Sequence, residues 1–167
     1  MKTDKQHIPD SYYFGRNISD MPFVQIVYQV VFATKYRAQV LVKPNRQRLF
    51  DYFRGVLQQH KCTVYGIGGV SDHVHLVFGL HPTVALANLV KNLKLSSHDW
   101  IDRNEIFPAF DRWAVSYAAF TYTRDAIPNL QRYVRNQERH HGEESSREEL
   151  RRLLHKHGVE YREEYLE

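Results

Sequence analysis

The sequence predicts an α+β fold of the ferredoxin-like type, an antiparallel sheet built in the chain order β-α-β-β-α-β and followed by an added helix and a C-terminal helix. Three observations predict this fold. Segments rich in β-branched and aromatic residues indicate strands, segments with apolar residues at helical spacing indicate helices, and the two kinds alternate in this order along the chain.

The first four elements follow from residue type and spacing. FVQIVYQVVFAT, residues 23–34, is rich in β-branched and aromatic residues and predicts a strand. PNRQRLFDYFRGVLQQH, residues 44–60, predicts a helix, because proline is favoured in the first turn and apolar residues then recur at helical spacing. CTVYGIGGV and HVHLVFGL, residues 62–70 and 73–80, predict two strands joined by a short turn, which is a hairpin.

The remaining elements are predicted in the same way. PTVALANLVKNLKLSSHDWI, residues 82–101, predicts a second helix, and WAVSYAAFTYT, residues 113–123, predicts a fourth strand. A third helix is predicted from about residue 125 to residue 141. SSREELRRLLHKHG predicts the last helix, with Ser145 or Ser146 as its N-cap and Gly158 as its end.

The chain is predicted to have an N-terminal extension (residues 1–22), one main domain (23–142) and an acidic C-terminal helix and tail (143–167). Residues 1–142 carry 18 Lys/Arg and 11 Asp/Glu, whereas residues 143–167 carry five and eight. A basic body favours a polyanionic partner without requiring one. The acidic helix is expected to pack against this body, where it could compete with such a partner.

Composition argues against several classes of protein. Cys62 is the only cysteine, so no internal disulfide is expected and a reducing cytoplasm suits the chain. The N-terminus lacks the apolar core of a signal peptide, and the longest apolar run, Val24 to Ala33, is too short to span a bilayer. We therefore expect a cytoplasmic protein with no membrane partner.

The stretch SDHVHLVFGL places two histidines on one predicted strand. Side chains at i and i+2 of a strand point to the same side, so His73 and His75 project together, about 7 Å apart along the strand. Neutral imidazole is a common metal ligand, and two such rings can converge on one ion. A metal that acts on a substrate also needs a third ligand and an open position. The alternative is that the pair lies on a solvated face of the sheet.

The predicted third helix carries a phenol and an amide along one side. Tyr133 and Gln137 are four residues apart, as are Leu130 and Val134, so both pairs share one broad face. In the simpler interpretation Tyr133 packs at the margin of the core and Gln137 is solvated. If the parts meet, a metal held by two histidines and an amide oxygen could polarise a phosphodiester that the tyrosine attacks. Because one phosphodiester replaces another, no nucleotide cofactor is needed.

Four motifs in this order resemble the single-tyrosine HUH transposases of small bacterial insertion sequences, including the relatives associated with repetitive extragenic palindromes. VYQVVFATKYRAQVL resembles the family's opening strand and loop, and GIGGVSDHVHLVFGL resembles its hairpin with the His-hydrophobic-His motif. LANLVKNLKLSSHDWI resembles the second helix, and RYVRNQERHH resembles the nucleophile helix. The resemblance covers roughly residues 23–166.

The resemblance implies a strand transferase that cleaves and rejoins single-stranded DNA at hairpin-bearing ends through a covalent phosphotyrosine intermediate. It implies that Tyr133 is the nucleophile and that His73, His75 and Gln137 hold a divalent metal, Mg²⁺ or Mn²⁺, with both histidines counted as catalytic. It also implies a homodimer with merged sheets, in which the tyrosine helix of one subunit often completes the site of the other.

Four basic residues outside this set are candidates for contacts with DNA phosphates. Lys35 and Arg37 follow the first strand, and Lys91 and Lys94 lie along the second helix. The alternative for each of them is an ordinary solvated charge.

Two other functions stay open. A domesticated or non-catalytic protein could bind palindromic-repeat hairpins without moving them. A small histidine-dependent phosphoesterase is disfavoured, because Val77 stands where a longer His-x-His series would place its third imidazole.

Overall fold

A sheet of four antiparallel strands lies at the centre of the protein, and the computed structural model describes residues 23–140 and 144–166. The elements in chain order are β1 (Val27–Ala33), α1 (Lys43–Gln59), β2 (Thr63–Gly69), β3 (His73–Gly79), α2 (Leu86–Asn104), β4 (Ala118–Tyr122), α3 (Ile127–Arg135), α4 (Gln137–His140) and α5 (Ser146–Lys156). The strands lie side by side in the order β2-β3-β1-β4, and every neighbouring pair is antiparallel. The predicted ferredoxin-like fold is confirmed, while the predicted extension, residues 1–22, lies outside the described residues.

Helices α1 and α2 cover one face of the sheet. Alternate residues of β1 and β3 point to this side, where they pack against the apolar faces of both helices; the members of this core include Val30, Phe32, Val74, Leu76, Leu49, Phe53, Leu89 and Leu93. Trp113 closes the core beside Phe32, with ring centroids 4.9 Å apart, and its indole N–H donates to Ser97 Oγ. No helix within the described ranges is long and apolar enough to cross a membrane.

Helices α3 and α5 cover the opposite face of the sheet. Val27 and Val77 pack against α3, and Val31 and Phe120 pack against α5 and the C-terminal Leu166. Both faces of β3 are therefore buried, which explains why its sequence is an almost continuous apolar run. The two histidines of β3 point to the side that α3 and α5 cover.

The first and fourth strands along the chain are shorter than predicted. The first begins at Val27, and Phe23, where it was predicted to begin, is fully exposed. The fourth begins at Ala118, and of the segment before it Trp113 makes one isolated bridge, to Thr34. The carbonyl groups of residues 114–116 accept hydrogen bonds from the Lys94 amine.

The predicted helices differ mainly at their ends. The second begins at Leu86 rather than at Pro82, and the third is interrupted at Asn136, which separates α3 from α4. The last helix behaves as predicted at its start, where Ser145 and Glu148 form a capping box. Gly158 follows its end with a positive φ of 63°.

Two glycines of β2 allow α3 to lie directly on the sheet. A β-carbon at Gly66 would lie 2.8 Å from Val134 Cγ2, and one at Gly68 would overlap the backbone carbonyl of Val134. The distance between α3 and the sheet therefore depends on the absence of side chains at these positions.

We expect Gly68→Ala to lower the free energy of unfolding by about 1–3 kcal/mol, because the new methyl group must push the α3 backbone away from the sheet. Gly55→Ala is the matched control, since Gly55 lies inside α1 with open space around its α-carbon. Removing a glycine from a helix should stabilise the protein by ~0.5–1 kcal/mol. Urea denaturation followed by circular dichroism measures both changes, and equal stability of the two variants would contradict this packing.

Candidate active site

His73 and His75 converge under the helices that cover their face of the sheet. They are 1% and 0% exposed, and their Nε2 atoms lie 3.1 Å apart. The pair does not lie on a solvated face. Strand geometry alone predicts parallel side chains, and the burial under α3 and α5 turns both Nε2 atoms toward one centre.

Both imidazole rings are held from behind by buried polar side chains. His73 Nδ1 donates to Asp72 Oδ1 at 2.7 Å, and Asp72 Oδ2 accepts from Ser146 Oγ at 2.6 Å. His75 Nδ1 lies 3.0 Å from the amide nitrogen of Gln29. A carboxylate partner such as Asp72 is typical of histidines that serve as metal ligands.

The predicted phenol and amide reach the same centre from the same chain. The Tyr133 ring packs edge-on against His75, with centroids 5.7 Å apart. Gln137 is 1% exposed, although the helix break at Asn136 lies between it and Tyr133. Its Oε1 atom is buried and has no hydrogen-bond partner among the described residues.

Glu149 of α5 lies at the middle of this centre. Its Oε2 atom is 3.1 Å from His73 Nε2 and 3.4 Å from His75 Nε2. Its Oε1 atom accepts hydrogen bonds from the Gln137 amide, at 3.0 Å, and from the Tyr133 hydroxyl. At 2% exposure, the carboxylate is shielded from solvent by the groups that contact it.

Glu149, Asp72 and Gln29 were not predicted as site residues. Two of them carried a signal: Glu149 precedes Leu153 by four residues and so shares the apolar face of α5. Gln29 has the same strand parity as Val27 and Val31, and an amide on the buried side of an apolar strand needs a buried partner.

The charges in the centre oppose the effect of burial on His73. Burial alone lowers the pKa of His73, but hydrogen bonds and charges from Asp72 and Glu149 outweigh it, so that the pKa is raised. Burial and the Glu149 carboxylate raise the pKa of Tyr133 well above its ordinary value. Arg152, whose Nη2 lies 3.2 Å from the phenol oxygen, opposes this shift. The phenol is therefore protonated at neutral pH.

Arg37, alone among the four predicted DNA contacts, lines a cavity of about 330 Å³ that His73 and Glu149 also line. Its Nε donates to the Leu166 carbonyl, and burial lowers its pKa. Lys35 lies 4.0 Å from Asp111 and above the ring of Tyr36.

Lys91 and Lys94 lie on α2, which covers the other face of the sheet. Lys91 is exposed. Lys94 is half-buried, donates to three backbone carbonyls at 2.7–3.0 Å, and has a pKa that burial lowers to about 8. Any DNA strand that contacts both the histidines and Lys91 must pass around the edge of the sheet.

The residues of the centre fit a divalent metal. Ligand atoms of His73, His75 and Glu149 all lie within 4.8 Å of one another. The buried Gln137 Oε1 adds an oxygen that lacks a partner among the described residues. Imidazole nitrogens suit zinc, copper and iron, while carboxylate and amide oxygens suit Mg²⁺ and Mn²⁺.

The chain is similar in sequence to known transposases. The model of the family described as "Transposase IS200 like" matches residues 22–137. The ISDra2 transposase TnpA of Deinococcus radiodurans is 28% identical over 123 residues, which cover 68% of this chain and 84% of that protein.

Two solved structures share the fold. A protein of Deinococcus radiodurans R1 described as a transposase has a TM-score of 0.54 and 25% identity, over 82% of this chain and 98% of that one. The REP-associated tyrosine transposase bound to a REP hairpin has a TM-score of 0.52 and 11% identity, over 73% and 72%. With a family model that spans most of its described residues and a fold shared with these structures, the chain belongs to the IS200-like transposase family.

Proposed function

We propose that this transposase is a metal-dependent strand transferase, in which Tyr133 attacks a phosphodiester of single-stranded DNA at a hairpin-bearing end. The observation that carries the proposal is the contact between the Tyr133 ring and His75, beside a second inward-facing imidazole. Membership of the family supports the reaction class, and the hairpin bound to the REP-associated relative supports hairpin DNA as the partner.

The reaction exchanges one phosphodiester for another. The Tyr133 oxygen forms a bond to phosphorus, the bond to one neighbouring nucleotide oxygen breaks, and that strand leaves with a free hydroxyl. Attack by a hydroxyl of a second strand reverses these changes and releases Tyr133. The phenol must lose its proton in the first step, and nearby Arg152 stabilises the negative charge that develops on the oxygen.

His73, His75 and the Gln137 amide oxygen are the proposed ligands of Mg²⁺ or Mn²⁺, and the Glu149 carboxylate offers a further oxygen. When bound, such an ion polarises a phosphodiester and stabilises the charge on its oxygens. Asp72 and Gln29 hold the two imidazoles from behind, so the rings need no reorientation to face the ion.

The Glu149 carboxylate contacts the Tyr133 phenol oxygen, and it occupies the space that the attacked phosphorus atom would need. Two negatively charged groups at this distance repel each other in a buried site. DNA therefore displaces the Glu149 side chain from the phenol oxygen before the phenol can attack. In this proposal the acidic helix competes with DNA for the site, as its charge suggested. The proposed domain boundary at residue 142 separates Glu149 from the catalytic residues that it contacts.

The proposed site is complete within one chain, since Tyr133, Gln137 and both histidines meet without a partner. The homodimer that the resemblance implies stays a proposal, and exchange of the tyrosine helix between subunits is not needed to assemble the site. The second candidate function is a non-catalytic hairpin-binding protein. It would need no nucleophile beside the histidines.

We expect Tyr133→Phe to abolish the covalent DNA adduct while hairpin binding stays within about threefold of the native protein, because only the attacking oxygen is lost. Labelled hairpin-bearing single strands incubated with Mn²⁺ and run on a denaturing gel measure the adduct. Tyr161→Phe is the control, since Tyr161 is an exposed tyrosine of the C-terminal segment. Binding without any adduct in the native protein would favour the non-catalytic alternative, and hydrolysis that survives Tyr133→Phe would favour a phosphoesterase.

Mixing two inactive variants tests assembly within one chain. Tyr133→Phe and His75→Ala each lack one part of the site, so a mixture can recover activity only if one subunit supplies the tyrosine to another. We expect no adduct from the mixture beyond that of the separate variants. Recovery of adduct in the mixture would show that the tyrosine helix is exchanged in solution.

We expect Glu149→Gln to raise affinity for hairpin-bearing single strands several-fold, because the charge that repels the phosphate is removed. Fluorescence anisotropy in EDTA measures this binding without cleavage and without any contribution from a metal. Glu105→Gln makes the same change of net charge at an exposed site that follows α2, away from this cavity, and should have a smaller effect. An equal effect of the two substitutions would contradict local competition by Glu149.

A further inference from the structure

A row of hydrogen bonds runs from His75 across the sheet to the end of α5. His75 Nδ1 lies 3.0 Å from Gln29 Nε2, and Gln29 Oε1 accepts from the Tyr122 hydroxyl at 2.7 Å. The Tyr122 oxygen in turn lies 3.0 Å from His157 Nε2. The row thus joins a proposed metal ligand on β3 to β1, β4 and the residue after α5.

The surroundings hold this row in place. Gln29 is fully buried, and a buried amide is costly unless its nitrogen and oxygen both have partners. The His157 ring stacks on Phe120, with centroids 4.6 Å apart, and meets the Tyr122 ring edge-on at 5.0 Å. Packing therefore fixes both ends of the row, while the amide between them can rotate about its last bond.

The direction of the hydrogen bonds determines which His75 nitrogen carries a proton. The Gln29 N–H group donates, so His75 Nδ1 accepts, and the proton of the neutral ring lies on Nε2. This Nε2 atom faces the Glu149 carboxylate at 3.4 Å. The tautomer suits a carboxylate, but a metal needs the Nε2 lone pair and therefore needs the proton on Nδ1.

We propose that Gln29 is a positioning residue that selects the tautomer of His75, and that metal binding requires its amide to rotate by half a turn. After rotation Oε1 accepts from His75 Nδ1–H, and the amide nitrogen donates to the Tyr122 oxygen. The Tyr122 hydroxyl then donates to His157 Nε2. In each of the two histidines that end the row, His75 and His157, one proton moves from Nε2 to Nδ1 by exchange with water, so neither ring changes its charge.

The inference rests on the proposed metal site, but its first test needs no metal. In ¹⁵N spectra of the metal-free, histidine-labelled protein at pH 8, we expect the His75 proton on Nε2. In Gln29→Glu, whose carboxylate can only accept, we expect it on Nδ1. A side chain that merely filled space would not change which nitrogen is protonated. A proton on Nδ1 in the native protein, or an unchanged spectrum in Gln29→Glu, would overturn the inference.

The second test measures Mn²⁺ binding by titration calorimetry. Gln29→Leu removes both hydrogen bonds and should lower Mn²⁺ affinity by roughly 10–100-fold, the usual loss when a ligand's supporting partner is removed. Gln29→Glu should bind Mn²⁺ more tightly than Gln29→Leu, because an acceptor for Nδ1–H is restored. Thermal melting identifies any variant that fails to fold.

Gln131→Leu is the matched control, because its amide donates to the Tyr65 carbonyl from the same side of the sheet without contacting His75. It should leave Mn²⁺ affinity unchanged. If the native protein binds no Mn²⁺, the proposed metal site fails while the tautomer test still decides the role of Gln29. If the native protein and Gln29→Leu bind Mn²⁺ equally, the role of Gln29 fails and the metal site stands.

Discussion

Two imidazoles buried between a sheet and its covering helices must have hydrogen-bond partners, and this requirement organises the whole centre. Asp72 and Gln29 satisfy the outer nitrogens, and Glu149 faces the inner ones. Each polar group is costly to bury without a partner. The partners of the two histidines come from β1, from the turn before β3 and from α5. The histidines thereby connect elements that are far apart along the chain.

Close packing between α3 and β2 brings Tyr133, the proposed nucleophile, to this centre. Gly66 and Gly68 let the helix backbone lie on the strand, and Val134 then packs on the sheet beside Val77. Because Tyr133 directly precedes Val134 in α3, its ring then lies edge-on against His75. The approach of the phenol is thus determined by residues that have no chemical role of their own.

The inward-facing atoms of the histidines, the Gln137 amide and the phenol can contact either the Glu149 carboxylate or a metal and a phosphate. With Glu149 in place, the imidazoles, the amide and the phenol all contact one carboxylate, which also raises the pKa of Tyr133. The same inward-facing atoms are those that a metal and a phosphate would need. Activation in this proposal is therefore an exchange of partners at a preformed centre, in which the Glu149 side chain leaves the inward-facing ligand atoms.

The sequence by itself determined the order of strands and helices, the shared direction of His73 and His75, and the capped start of α5, because these depend on local periodicity and residue type. Only the tertiary structure decided that Glu149 enters the centre, that Lys94 binds backbone carbonyls, and that β4 starts at Ala118. These depend on which residues meet across the sheet. Local sequence indicates contacts between distant parts of a chain only weakly, for example by one polar residue on an apolar face.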